Sequence, residues 1–87
     1  MATVWIPSLV RDMTAGQELV TVTGATLGEV IDQLDLRFPG IKSRLCAGDN
    51  LKTGLAAVID SEVSRLGLLQ PVGNQSEVHF LPAIGGG

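Results

Sequence analysis

The chain has 87 residues, 45 % of them hydrophobic and 17 % charged, with a net charge of −3, so it is one small domain with room for a single core, and its mean hydropathy of +0.33 excludes the intrinsically disordered class. An isoelectric point near 4.8 offers no basic footprint for counterion release, and Trp5, Phe38 and Phe80, the only aromatic residues, make no base-stacking platform, so no nucleic acid is expected as a partner. One cysteine, Cys46, and one histidine, His79, form neither an internal disulfide nor a structural zinc site, and with no signal-peptide pattern and no apolar run near a membrane span the expectation is a cytoplasmic protein with no membrane partner.

Thr3 to Pro7 reads as a strand, with Val4 and Ile6 on one face and Trp5 on the other. Arg11 to Gln17 is a polar loop with a turn at Thr14-Ala15-Gly16-Gln17, and Glu18 to Thr23 is a second strand carrying Val20 and Val22 inward. Thr26-Leu27-Gly28-Glu29 is a capping box that should start a helix, Glu29 reaching back to the cap. Leu27, Val30, Ile31, Leu34 and Phe38 then form one stripe of 3.6-residue period, Glu29, Asp32, Gln33 and Asp35 take the wet side, and Pro39-Gly40 ends the helix. Ile41 to Leu45 holds one further helical turn, and Ala47 to Gly54 is a polar loop. Leu55 to Ile59 is a strand, Asp60-Ser61-Glu62 a turn, Val63-Ser64 a short edge strand, and Leu66 to Leu69 an apolar segment broken by Gly67. Glu77 to Leu81 is the last strand, with Val78 and Phe80 inward and His79 and Leu81 outward, ending at Pro82. The helix stripe laid on the inward valines, Ile6 and Phe80 gives a two-layer α+β domain over residues 1–82, followed by the Gly-rich tail 83–87.

The tail is the unusual feature, because three terminal glycines give nothing to a core and lose the most entropy on ordering. Extended at 3.3–3.6 Å per residue, residues 83–87 reach up to ~17 Å, far enough to carry a terminal carboxylate into another protein's active site. That carboxylate is ionised at neutral pH and can attack the α-phosphate of ATP where a partner supplies the site. Read from Gly-Gly-Gly alone, an idle unstructured terminus accounts for the tail equally well.

No enzyme constellation competes with it. His79 has the bland reading of a solvated or interface histidine, and Cys46, behind the apolar Ile41 and Leu45, that of an inert buried thiol. Glu29, Asp32 and Asp35 read as a solvated helix face. Gly24-Ala25-Thr26-Leu27-Gly28 lacks the lysine and the glycine spacing of a phosphate-binding loop.

Two blocks carry a family resemblance. The first is Ile6-Pro7-Ser8-Leu9-Val10-Arg11 with Thr14-Ala15-Gly16-Gln17 and Gly24-Ala25-Thr26-Leu27-Gly28-Glu29-Val30-Ile31; the second is Val78-His79-Phe80-Leu81-Pro82-Ala83-Ile84-Gly85-Gly86-Gly87. Together they resemble the ubiquitin-like β-grasp sulfur carriers, the family of the molybdopterin synthase small subunit and the thiamine-pathway carrier. Their Ile-Pro opening, Thr-x-Gly-Gln turn, Gly-x-Thr-Leu-Gly helix start and Leu-Pro-Ala ending are most similar to the thiocarboxylate carrier of cysteine biosynthesis. The sequence departs from that pattern at Gly73-Asn74-Gln75-Ser76-Glu77, where an Asp-Gly-acid turn is usual, and in ending on three glycines rather than two.

The resemblance implies a mixed sheet of four to five strands with one main helix on one face. It implies a covalent cosubstrate rather than an enzyme: an E1-like adenylating enzyme uses ATP to activate Gly87, entered through Gly85 and Gly86, and a sulfurtransferase supplies the sulfur of a thiocarboxylate. The acceptor would be a pyridoxal phosphate-dependent cysteine synthase, with a metalloprotease to release cysteine, and this chain itself would bind no cofactor. Pro7 and Leu81 match the family's exposed patch, and alternation adds Trp5 and His79 to that face, where Trp5 reads either as an interface anchor or as a self-association or edge-packing contact. Three rival readings stand beside this one: a molybdopterin synthase small subunit, partnered by the large subunit; a ubiquitin-like modifier joined to lysines through Gly87; and a β-grasp interaction module whose tail is never activated.

Overall fold

Alternation places the first strands as expected, with their ends trimmed. In the computed structural model, which describes residues 1–82, β1 (Ala2–Trp5) pairs antiparallel with β2 (Leu19–Val22), with Val4 opposite Val20. Pro7 lies outside β1 and caps a 3₁₀ helix, Ser8–Thr14, whose second half falls in the stretch Arg11 to Gln17 expected to be loop. Val10 and Thr14 of this helix are fully buried, and the Thr14 hydroxyl donates to the carbonyls of Arg11 and Gln17. The connection is therefore packed structure, which its polar composition did not signal.

α1 (Leu27–Arg37) starts at Thr26, whose hydroxyl accepts from the Glu29 N–H at 3.2 Å. The return bond differs from the capping box expected: the Glu29 carboxylate accepts from Ala25 N–H at 3.1 Å, one residue before the cap. Leu27, Val30, Ile31 and Leu34 are fully buried, so the helix is held by its stripe. Gly28 costs helix propensity, of the order of 1 kcal/mol, and its place is explained by packing, since a Cβ there would stand 3.2 Å from the Leu68 carbonyl oxygen. Gly24 is tighter still, a Cβ falling 2.8 Å from the Val30 nitrogen.

The supposedly wet carboxylates of α1 all have partners. Asp35 accepts from Gly40 and Lys42 N–H at 3.1 and 3.0 Å, tying α1 to α2 (Ile41–Leu45), and Asp32 holds Lys42 Nζ at 2.6 Å. After α2 the chain makes a small hairpin, β3 (Cys46–Ala47) with β4 (Asn50–Leu51), inside the segment expected to be loop. β5 (Leu55–Ile59) turns into β6 (Glu62–Val63) through Asp60 and Ser61, both at positive φ, 50° and 73°. Leu66 to Leu69 holds a 3₁₀ turn, Gly67–Leu69, whose Leu68 packs against the core.

β7 (Glu77–Pro82) extends one residue past its expected end, taking in Pro82 opposite Leu55. The five-stranded sheet has the order β2-β1-β7-β5-β6, with β7 at its centre, parallel to β1 and antiparallel to β5. Val4, Ile6, Val20, Val22, Val78 and Phe80 face α1 across the core as expected, and among the described residues no element covers the other face of the sheet. This is an α+β architecture with a mixed five-stranded sheet and one main helix on one side.

Candidate docking face and tail root

The open face is ordered by strand register. Residues opposite one another on paired strands share a face, and the pairs Leu19–Trp5, Trp5–His79, His79–Val58 and Val58–Val63 join into one row across all five strands. Leu19, Trp5 and Val63 on this row are 47, 38 and 61 % exposed. Two positions nearer the start of β7 the same face carries Thr21, Thr3 and Glu77. Two positions nearer its end it carries Leu81, 48 % exposed, opposite Ala56. The face thus grades from polar at one end to apolar at the end where β7 hands over to residues 83–87.

Trp5 and His79 are brought together as adjacent positions of the parallel pair. Their rings stack with centroids 5.2 Å apart and planes inclined by 12°, and Trp5 Nε1–H donates to Glu77 Oε1 at 3.3 Å. His79 is therefore half-buried beneath its neighbour, a correction to the exposed position that alternation gave it. Glu77 was not anticipated as the group that orients the indole; its i−2 relation to His79 on an outward-facing strand was the signal for it.

Pro7 and Leu81 meet at the end of the sheet, where they line an apolar recess of about 450 Å³. Leu9 of the first 3₁₀ helix and Leu55 at the start of β5 form further parts of its wall, and the buried Phe80 lies at its base. Pro82, the last residue described, is part of the same lining. Leu9 and Leu55 were not singled out from sequence as parts of such a wall, Leu9 standing before the polar stretch Arg11 to Gln17 and Leu55 being read only as the start of a strand. Gly85, Gly86 and Gly87 lie outside the described residues.

The remaining chemistry-bearing groups are accounted for. Cys46 is buried, and desolvation pushes its thiol pKa up, with Lys42 opposing that rise, which leaves it a poor nucleophile. Among the described residues no three His, Cys, Asp or Glu side chains are placed to hold a metal ion, and no helix is long and apolar enough to cross a membrane.

Comparison with known proteins bears directly on this arrangement. The model of the ThiS family matches residues 4–87, which takes in both the strands of the open face and the glycines at the end. The chain belongs to the ThiS family. The sulfur carrier protein CysO of Mycobacterium tuberculosis is 34 % identical over 90 residues, covering 98 % of this chain and 97 % of that protein. Among solved structures, a chain of the Amycolatopsis orientalis BexX/CysO complex superposes with a TM-score of 0.91 at 35 % identity, covering 100 % of both chains. Mycobacterium tuberculosis CysO superposes with a TM-score of 0.88 at 32 % identity, over 97 % of this chain and 100 % of that one. The ubiquitin-like β-grasp assignment of this ThiS-family chain rests on these matches together with its sheet order.

Proposed function

We propose that this ThiS-family chain is a sulfur carrier, a protein cosubstrate whose reactive group is the carboxylate of Gly87 and whose sulfur serves biosynthesis, of cysteine in the first instance. The observation that carries the reading is the family match running through to residue 87, together with the near end-to-end likeness to the CysO carrier.

The chemistry belongs to partners, and the chain's contribution is to be recognised and to deliver its end. A carboxylate oxygen of Gly87 attacks the α-phosphorus of ATP in an E1-like enzyme, and pyrophosphate leaves. Sulfide, released from the persulfide of a sulfurtransferase by a thiol reductant, then attacks the carbonyl carbon of the acyl adenylate, and AMP leaves, giving a thiocarboxylate. The thiocarboxylate sulfur attacks an acceptor bound in a further enzyme, for which a pyridoxal phosphate-dependent cysteine synthase is the expected class, and a metalloprotease frees the product. ATP is thus a substrate of the activating enzyme. Residues 85–87 lack side chains, which suits entry to a narrow channel, and the Trp5, His79, Leu81 and Pro7 surface is the docking face that holds the carrier while the tail is read. That a chain of a BexX/CysO complex has this fold supports the reading that such carriers work by binding other proteins.

Intact mass after incubation with ATP, a cognate activating enzyme and a sulfide source tests the reading. The expected product is heavier by one oxygen-to-sulfur exchange and is alkylated by a thiol reagent at Gly87. A tail that stays unmodified with an activating enzyme shown to be competent on another carrier overturns it.

A further inference from the structure

An activated acyl group is open to attack by amines as well as by sulfide, so the amines of this chain and their distances from the root of the tail bear on its chemistry. The sequence holds two lysines, Lys42 and Lys52. Lys42 Nζ donates to the Asp32 carboxylate at 2.6 Å, and that bond, with the Asp32 charge behind it, raises its pKa and keeps it in the protonated form, which has no lone pair to offer. The Met1 ammonium donates to the Asn74 carbonyl at 2.6 Å and to the Asn74 side-chain oxygen at 3.1 Å. It stands at the far end of the sheet from Pro82. β1 runs parallel to β7 with Thr3 opposite Glu77, the strand from Glu77 to Pro82 covers about 17 Å, and Met1 lies further out than Thr3.

Lys52 stands at the near end. Its carbonyl accepts from the Leu55 N–H at 3.0 Å, closing a turn through Gly54, which has a φ of 90°, and Leu55 lies opposite Pro82 in the antiparallel pair of β5 and β7. Such a turn keeps its first and last Cα atoms within about 7 Å, and facing residues of an antiparallel pair lie about 5 Å apart, so the Lys52 Cα is within about 12 Å of the Pro82 Cα. Residues 83–87 span up to ~17 Å, which exceeds that separation before the four-carbon stem of the lysine is counted. Lys52 is exposed, and among the described residues it makes no ion pair.

We propose that Lys52 is a modification site for the chain's own tail: where no sulfide reaches the acyl adenylate of Gly87, the Lys52 amine captures it and closes residues 52–87 into a lactam. The proposal rests on the carrier reading above. In the step, the Lys52 ammonium gives a proton to solvent and its nitrogen attacks the Gly87 carbonyl carbon. The bond from that carbon to the AMP oxygen breaks, AMP leaves, and the proton shed by the new amide nitrogen passes to solvent. The product is the parent chain less one water, and no oxidant or reductant takes part. An enzyme channel that holds the tail keeps amine and adenylate apart, so capture follows release of the activated chain. Both groups belong to one molecule, so capture does not depend on carrier concentration, and it withdraws the carrier by consuming its carboxylate.

The test incubates the full chain with ATP and a cognate activating enzyme in the absence of a sulfide source, and reads intact mass and a peptide map. A parallel sample contains hydroxylamine, which converts the acyl adenylate to a hydroxamate and so reports activation separately from capture. The expected result is a monomer lighter by one water, whose peptide map joins residue 87 to Lys52, in a yield that does not change on dilution. Lys52→Arg should lower that yield tenfold or more with its hydroxamate undiminished, and Lys42→Arg should leave it as in the parent chain. Hydroxamate without any lighter monomer overturns the assignment of Lys52 while leaving the carrier reading intact. A peptide map that joins residue 87 to Lys42 or to Met1, or only to a second copy of the chain, overturns it as well. If the parent chain gives no hydroxamate with an enzyme shown to be competent on another carrier, the carrier reading fails and the lactam falls with it.

Discussion

Asp60 shows how much one exposed side chain can organise. Its carboxylate accepts from the Ser76 hydroxyl at 2.6 Å and from the Glu77 N–H at 2.9 Å, joining the turn after β5 to the start of β7. The Ser76 bond first, then the Glu77 bond, hold its pKa below the ordinary aspartate value. A group depressed in the folded state contributes stability above its unfolded pKa of about 3.9 and loses that contribution as pH falls through the lower folded value. Acidification below about pH 4 should therefore lower the urea midpoint of the parent chain more steeply than that of Asp60→Asn, which keeps an acceptor and cannot titrate. Parallel acid limbs for the two proteins would remove Asp60 from the acid response. Asp60 was legible only as a turn residue, because both its partners lie in a segment remote in sequence. The same holds for Trp5, whose outward direction follows from Val4 and Ile6 pointing inward, but whose stacking on His79 depends on a parallel register that no local pattern encodes.

Among the elements, α1 was legible almost to its ends because five apolar residues kept one period and Thr26 supplied a cap. β3 and β4 were not, since strands of two residues have no period to read, and the first 3₁₀ helix was hidden by its polar residues. The β5–β6 hairpin was found as a turn, but its geometry was not. Asp60 and Ser61 both adopt the left-handed region, as a two-residue hairpin loop that follows the sheet's twist requires. Aspartate tolerates this conformation better than serine does, and an ordinary L residue there costs roughly 1–2 kcal/mol. Ser61→Gly relieves that strain and gives back about 0.4–1 kcal/mol to the greater freedom of the unfolded chain, so it should stabilise the domain by up to about 1 kcal/mol, read as a higher urea midpoint with an unchanged slope. A lower midpoint would mean that the Ser61 side chain supports the hairpin.

For the molecule as a whole, the core among the described residues is built from residues 2–80, and the central strand is described as far as Pro82. Removal of residues 83–87 should leave the thermal midpoint of the domain within about 2 °C of the parent, a change below 1 kcal/mol for a domain of this size, while abolishing modification by the activating enzyme. A large loss of stability would assign the tail a structural part. That Trp5, His79 and Leu81 share the outward face was legible from alternation, yet the row across five strands and the recess were not. Both are products of strand order, in which the first and last strands become neighbours, and strand order is a property of the whole chain.

That neighbour relation also has a consequence for biogenesis. β1 leaves the ribosome some seventy residues before its partner β7, so while the intervening chain is made the opening strand lacks the central strand that it needs. A topology of such long-range pairing folds late and comparatively slowly, and the sheet can close only once Glu77–Pro82 has been made. A nascent chain aborted before Glu77 has no central strand, and the cell's proteases meet it unfolded rather than as a folded domain that lacks only its tail.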